Sequence, residues 1–263
     1  ACYWTGKMYE EGQGCSENDR KAFDYYLQAA EKGHEKAQMK VAQMFEEGKG
    51  TMESDSRAYL WYRVCAQRGE KIALRKMGDY YLNGVVVNED YNEAKYWYEK
   101  AIEKDDTLSM SSLAYILIAN KAVSPNYQRA DSLIQIPLQS NNALAQYVYA
   151  ELLYNGYSVT QDKEKAMSYY KKSALNGCDL AKEMMALDNY NKDGNLLNIL
   201  SLKKFTRGET YLILAKELNS GEKVKKDKKQ ALIYYKKAAM LNNKEAQDYL
   251  SCLPKTKAKK DKN

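Results

Sequence analysis

The stretch ALRKMGDYYLNGVVVNEDYNEAKYWYEKAIEKDDTL, residues 73–108, decides the fold. Ala73, Met77 and Tyr81 recur every fourth residue, which stacks them on one face of a helix. Gly78 lies beside them, although a glycine inside a helix costs about 1 kcal/mol against alanine. Such a residue predicts a neighbouring helix crossing close at that point. Gly84 supplies the left-handed conformation that closes a helix C-terminus. Asp90 then caps a second helix, and Glu93 three residues on completes a capping box. The second helix turns Tyr91, Ala94, Tyr98, Ala101 and Ile102 to one side, with Trp97 on the flank. One hairpin of this size cannot cover both apolar faces, so it needs neighbours.

The neighbours come at a fixed period, the mark of a repeat array. The residue opening the unit recurs as Ala1, Ala37, Ala73, Ser109, Ala145 and Ala181, and after a shortened copy as Thr210 and Ala246. The close-crossing position reads Gly6, Ala42, Gly78, Ala114, Ala150, Ala186, Ala215 and Ser251. The turn glycine reads Gly12, Gly48, Gly84, Gly156 and Gly221, and the second-helix cap Asn18, Ser54, Asp90, Asn126, Asp162 and Asp227. An alanine four residues later and an aromatic pair, such as Trp61–Tyr62 and Trp97–Tyr98, keep the same register.

Read as MGDYYLNGVVVNEDYNEAKYWYEKA over residues 77–101, this order resembles the Sel1-like repeat, a relative of the tetratricopeptide repeat (TPR-like) with a longer turn between its helices. The resemblance covers about residues 1–254. It implies an all-α fold, a right-handed α/α superhelical solenoid whose first helices line a concave surface. It also implies an adaptor for protein complexes, in bacterial signalling or membrane-associated quality control. The expected layout is one solenoid over 1–254, with copies at 1–36, 37–72, 73–108, 109–144 and 145–180. A degenerate copy at 181–209, a regular one at 210–245, a capping helix at 246–253 and a basic disordered tail at 255–263 complete it.

Composition agrees with a helical array. Three prolines in 263 residues and almost no β-branched runs argue against strands. A repeat array grows in one dimension, so this length needs no division into separate cores. No run approaches the 18 or so apolar residues of a membrane-spanning helix. Most of the 24 tyrosines fall on repeat positions, where core packing explains them. Of the formal charge of +6, residues 255–263 carry five lysines and one aspartate, so the rest is close to balanced. That distribution predicts no nucleic-acid partner, which would call for basic residues clustered on a folded face.

Two copies depart from the pattern. In the fourth, Asn120 replaces the turn glycine, Leu133 and Ile134 replace the aromatic pair, and Pro137 interrupts the second helix. A mid-helix proline costs about 3 kcal/mol, which predicts a kinked or early-ending helix. Residues 181–209 lack the usual glycine turn, which predicts two abbreviated helices and a local change in superhelix direction. At the other end, Ala1 already occupies the first repeat position, so the natural chain is expected to extend upstream.

Reactive chemistry is nearly absent from the sequence. His34 sits at a helix–helix connection with no metal-ligand spacing around it, and reads as a surface residue. The five cysteines contain no CxxC pair, so neither a zinc nor a redox site is expected. Unpaired thiols point to a reducing, cytoplasmic compartment; removal of a signal segment would instead make the chain periplasmic or secreted. EEGKGT at 46–51 lacks the upstream glycine and strand of a phosphate loop. No cofactor, no metal and no catalytic residue is expected.

The second face of the first helices remains. Residues 75, 79 and 82 point away from Met77 and Tyr81. Through the middle copies those positions read Arg75, Asp79, Leu82, then Ser111, Tyr115, Ile118, then Tyr147, Glu151, Tyr154. Aromatic and aliphatic residues among a few charges are the composition of a binding surface, although packing between neighbouring first helices would bury the same columns. The expected function is a non-enzymatic protein–protein interaction scaffold. It would hold a peptide or protein ligand with Arg75, Asp79, Leu82, Tyr115, Ile118, Tyr147, Glu151 and Tyr154, and act as a monomer. The alternative is an exported binder of a small molecule or cell-wall fragment with weak hydrolytic activity.

Overall fold

The computed structural model describes residues 1–119, 124–202 and 204–253. The Asn120 turn and the basic tail lie outside the described residues. All the regular structure among the described residues is helical, and it divides into two compact units, Ala1–Ala166 and Met167–Asn263.

In the first unit α1 (Cys2–Glu11) and α2 (Asp19–Glu31) form one hairpin, and α3 (Glu35–Glu47) and α4 (Asp55–Gln67) the next. Then follow α5 (Lys71–Asn83), α6 (Tyr91–Ile102), α7 (Thr107–Ile118), α8 (Tyr127–Gln139) and α9 (Ala143–Asn155). Each helix up to α8 packs against the one before and the one after it. Caps set the boundaries. Asn18, Ser54, Asp90 and Asn126 each accept a backbone N–H from the first turn of the helix they precede, and Asp162 does the same for α10 (Lys163–Leu175), which carries the boundary between the units. Gly84 closes α5 at φ 63°, donating its N–H to the Tyr80 carbonyl. His34 caps as well as lying exposed: its Nδ1 accepts from the Ala37 N–H at 3.3 Å, and its ring stacks on Tyr3 at 4.4 Å.

The core is a column of repeated positions. Tyr26, Tyr62 and Tyr98 are fully buried, each beside the buried alanine four residues earlier, Ala22, Ala58 or Ala94. Gly78 is small because Tyr98 is there: a Cβ at Gly78 would stand 2.5 Å from the ring. Gly6 repeats the arrangement against Tyr26, with a Cβ–ring distance of 2.9 Å.

Pro137 does not end its helix early. α8 runs to Gln139 with Pro137 buried inside it, as long as α2 and α4. The proline stands in the last turn, so its missing N–H removes one bond near an end that already has unpaired carbonyls.

In the second unit, the end of α10 leads into α11 (Asp179–Asp193), then α12 (Leu197–Leu200), α13 (Gly208–Ser220), α14 (Lys228–Met240) and α15 (Lys244–Ser251). The expectation of two abbreviated helices over 181–209 is half corrected. α11 is the longest described helix at 15 residues, whereas α12 is a single turn of four. A glycine turn is present after all: Gly194 closes α11 at φ 68°, two residues later than the repeat period places it. α15 covers α14 through Ala246, which is buried, and through Tyr249, whose ring stacks on Tyr235 at 3.8 Å.

Candidate functional site

The candidate surface lies in the first unit, on the face of the first helices carried by α5, α7 and α9. Leu82, Tyr115, Ile118, Glu151 and Tyr154 are half-buried there, as are Arg75 and Asp79. Tyr147 is not at the surface: it is 5 % exposed, with the Tyr115 ring 6.3 Å away at a tilt of 53°. Helical spacing placed it in the column, but the ring packs between neighbouring helices. Lys163 holds its ammonium 5.3 Å from the centre of the Tyr154 ring, within cation–π reach.

Arg75 and Asp79 of this face are each engaged by a residue outside it. The Tyr98 hydroxyl donates to Asp79 Oδ1 at 2.7 Å. Burial pushes the Asp79 carboxyl above its ordinary pKa, against the lowering effect of that hydrogen bond. The Tyr98 phenol is pushed up in turn, first by burial and then by the Asp79 charge. Arg75 Nε lies 3.7 Å from Asp106 Oδ2, and the same oxygen caps α7 by accepting from the Ser109 N–H and hydroxyl.

Two earlier copies show what these contacts replace. Tyr26 donates to Glu10 Oε2 at 2.7 Å, and Lys40 of the following copy donates to the other oxygen at 2.9 Å. Tyr62 donates to Glu46 at 2.6 Å, and Lys76 donates to the same carboxylate. Burial acts to raise the Glu10 carboxyl, but the Lys40 and Tyr26 hydrogen bonds outweigh it and leave the group below its ordinary value. These acid–tyrosine–lysine links escaped the reading of the middle copies alone. Their signal is present in the sequence: glutamates 36 residues apart, each followed 16 residues on by tyrosine and 30 on by lysine. In the third copy the glutamate position holds Leu82, and Asp79, one turn earlier, serves the tyrosine instead. The fourth and fifth copies continue with Ile118 and Tyr154. The column therefore changes from paired charge to apolar surface between Glu46 and Leu82.

No grouping of three or more His, Cys, Asp or Glu side chains suited to a metal occurs among the described residues. Nor is any helix among them long and apolar enough to cross a membrane. The five cysteines are free thiols, and burial pushes the Cys65 thiol above its ordinary pKa, away from the reactive thiolate.

Stacked helical hairpins sharing buried tyrosine and alanine columns define a helical repeat protein. The family model for the Sel1 repeat matches at residues 1–34, 35–69, 71–106, 143–178 and 210–243, more than half of the chain, and the chain belongs to the Sel1 repeat family. Residues 107–142, which hold nearly all of the fourth copy, and residues 181–209 are outside the matched ranges. Among similar solved structures are two Sel1-like examples. One is c5321, a protective antigen present in uropathogenic Escherichia coli strains displaying an SLR fold. It is 27% identical with a TM-score of 0.57 over 95% of this chain, which spans only 55% of that protein. The other is a Sel1 repeat protein from Oxalobacter formigenes, 25% identical with a TM-score of 0.56, covering 91% of this chain and 86% of its own. Comparison with curated proteins gave no match.

Proposed function

We propose that the chain is a non-enzymatic adaptor that holds an extended peptide, or a protein surface, against the first-helix face of copies three to five. Leu82, Tyr115, Ile118 and Tyr154 are the contact residues in this reading, with Tyr147 supporting Tyr115 from below. The family supports the coarser part, because Sel1 repeat proteins are generally interaction scaffolds. The observation that carries the finer part is the change of one column from Glu10 and Glu46, each held by tyrosine and lysine, to Leu82, Ile118 and Tyr154. Half-buried apolar side chains gain most from desolvation by a partner. Arg75 and Asp79 already serve Asp106 and Tyr98, so they shape the face, and the partner is chosen by apolar contact more than by charge. Specificity of that kind is insensitive to salt.

Selection of peptides from a random display library on the immobilised chain tests this. The selected peptide should bind at least tenfold more weakly to a Leu82→Ala, Ile118→Ala, Tyr154→Ala variant with an unchanged melting temperature. Equal affinity for that variant would remove the face from the proposal.

A further inference from the structure

The shortened copy opens a cavity in the second unit where regular copies are packed. Lys182, Met185, Ala186 and Asn189 share one face of α11, spaced i, i+3, i+4, i+7. Their equivalents in the third copy are Leu74, Met77, Gly78 and Tyr81, the first three of them buried. α12 has four residues where the regular second helices have 12 or 13. At 1.5 Å per residue, roughly 13 Å of covering helix is missing. What remains is a cavity of about 620 Å³, within the usual range for small-ligand sites.

Its lining is sorted by chemistry. Met185, Ala186 and Leu202 give an apolar floor, and Asn198 and Ser201 of the α12 region give a polar rim. Two lysines and one aspartate bring charge. Asp179 is already paired with Lys182 at 2.7 Å, whereas Lys204 has no ion-pair partner among the described residues. The segment carrying Lys204 is held in place by a residue on the adjoining face of α11. Glu183, 1 % exposed, accepts from the Thr206 N–H and hydroxyl, the Arg207 N–H and the Thr210 hydroxyl. The opening is thus a fixed feature of the fold, with one uncompensated cation at its edge.

We propose that this cavity binds a small organic anion, its apolar body over Met185 and Leu202 and its carboxylate against Lys204. The inference stands apart from the peptide-binding face, which lies in the first unit. 4-Phenylbutyrate serves as the probe, read by the ¹³C-methyl signal of Met185, assigned with a Met185→Leu variant. A saturable shift with a Kd on the order of 1 mM or tighter is expected for a ligand of this size. Lys204→Glu, an exposed change, should weaken binding at least tenfold with an unchanged melting temperature, and the neutral 4-phenylbutanol should bind as weakly. No shift of the Met185 methyl at saturating probe overturns the proposal. So does a shift that Lys204→Glu leaves intact, or an alcohol that binds as well as the acid.

Discussion

The Tyr98 hydroxyl donates to Asp79 at 2.7 Å, whereas Tyr26 and Tyr62 donate to glutamates one turn further along the first helix. The Asp79 and Glu10 carboxyls titrate in opposite senses. Burial raises the Asp79 carboxyl, so its contribution to stability is fully present below the unfolded pKa of about 4 and is lost as pH rises through the folded value. Glu10, held below its ordinary value by Lys40 and Tyr26, contributes above the unfolded pKa and loses that contribution as pH falls through the folded value. Asp79→Asn should therefore flatten the decline with rising pH, and Glu10→Gln the decline toward acid. Thermal melting of both variants across the acid range measures this; parallel profiles for the two would contradict it.

Gly78 should not tolerate even a methyl group. Alanine would gain about 1 kcal/mol of helix propensity, but its Cβ would meet the Tyr98 ring at 2.5 Å, and that ring is fully buried. Overpacking of a tight core costs about 1–3 kcal/mol, so Gly78→Ala should come out net destabilising. Gly6→Ala, with 2.9 Å available beside Tyr26, should lose less. Urea denaturation midpoints of the two variants give the order.

The landmarks legible in the sequence each obey a local rule. Asp90 caps α6 and Gly84 closes α5 because hydrogen bonding and backbone sterics act over a few residues, and the 36-residue period repeats the signal. What escaped depends on contacts between copies. Asp79, expected to meet a partner, instead accepts from Tyr98, because Leu82 stands where the glutamate of earlier copies serves the tyrosine. Tyr147 has the spacing of a surface residue but is covered by the adjoining helices. Glu183 sits in the same column as Arg75, yet the shortened copy brings Thr206 and Arg207 onto it. Nothing within a few residues of Glu183 announces that.

Tyr147 and Tyr154 should separate stability from binding. Truncating a fully packed aromatic costs about 3–5 kcal/mol through lost transfer energy and the cavity left behind. Tyr147→Ala should therefore lower the melting temperature clearly. Tyr154→Ala, on a half-buried ring that meets solvent, should melt close to the parent and weaken peptide capture instead. Paired calorimetry and affinity measurements decide; a Tyr154 variant that binds normally but unfolds early would make that ring structural.

Glu183 should be the most sensitive residue of the second unit. Its carboxylate is almost fully buried and accepts from two backbone N–H groups and two threonine hydroxyls. Removing a buried acceptor leaves each of those donors unpaired, at about 1–3 kcal/mol apiece. Glu183→Ala should thus destabilise the unit by at least 2 kcal/mol. Glu183→Gln keeps one carbonyl acceptor but presents an NH₂ to groups that already donate, so it should fall between the two. Hydrogen exchange at the Thr206 and Arg207 amides reports the contact directly. Strong protection in the parent should vanish in the alanine variant, and protection that survives there would mean the segment is held by its own packing rather than by the carboxylate.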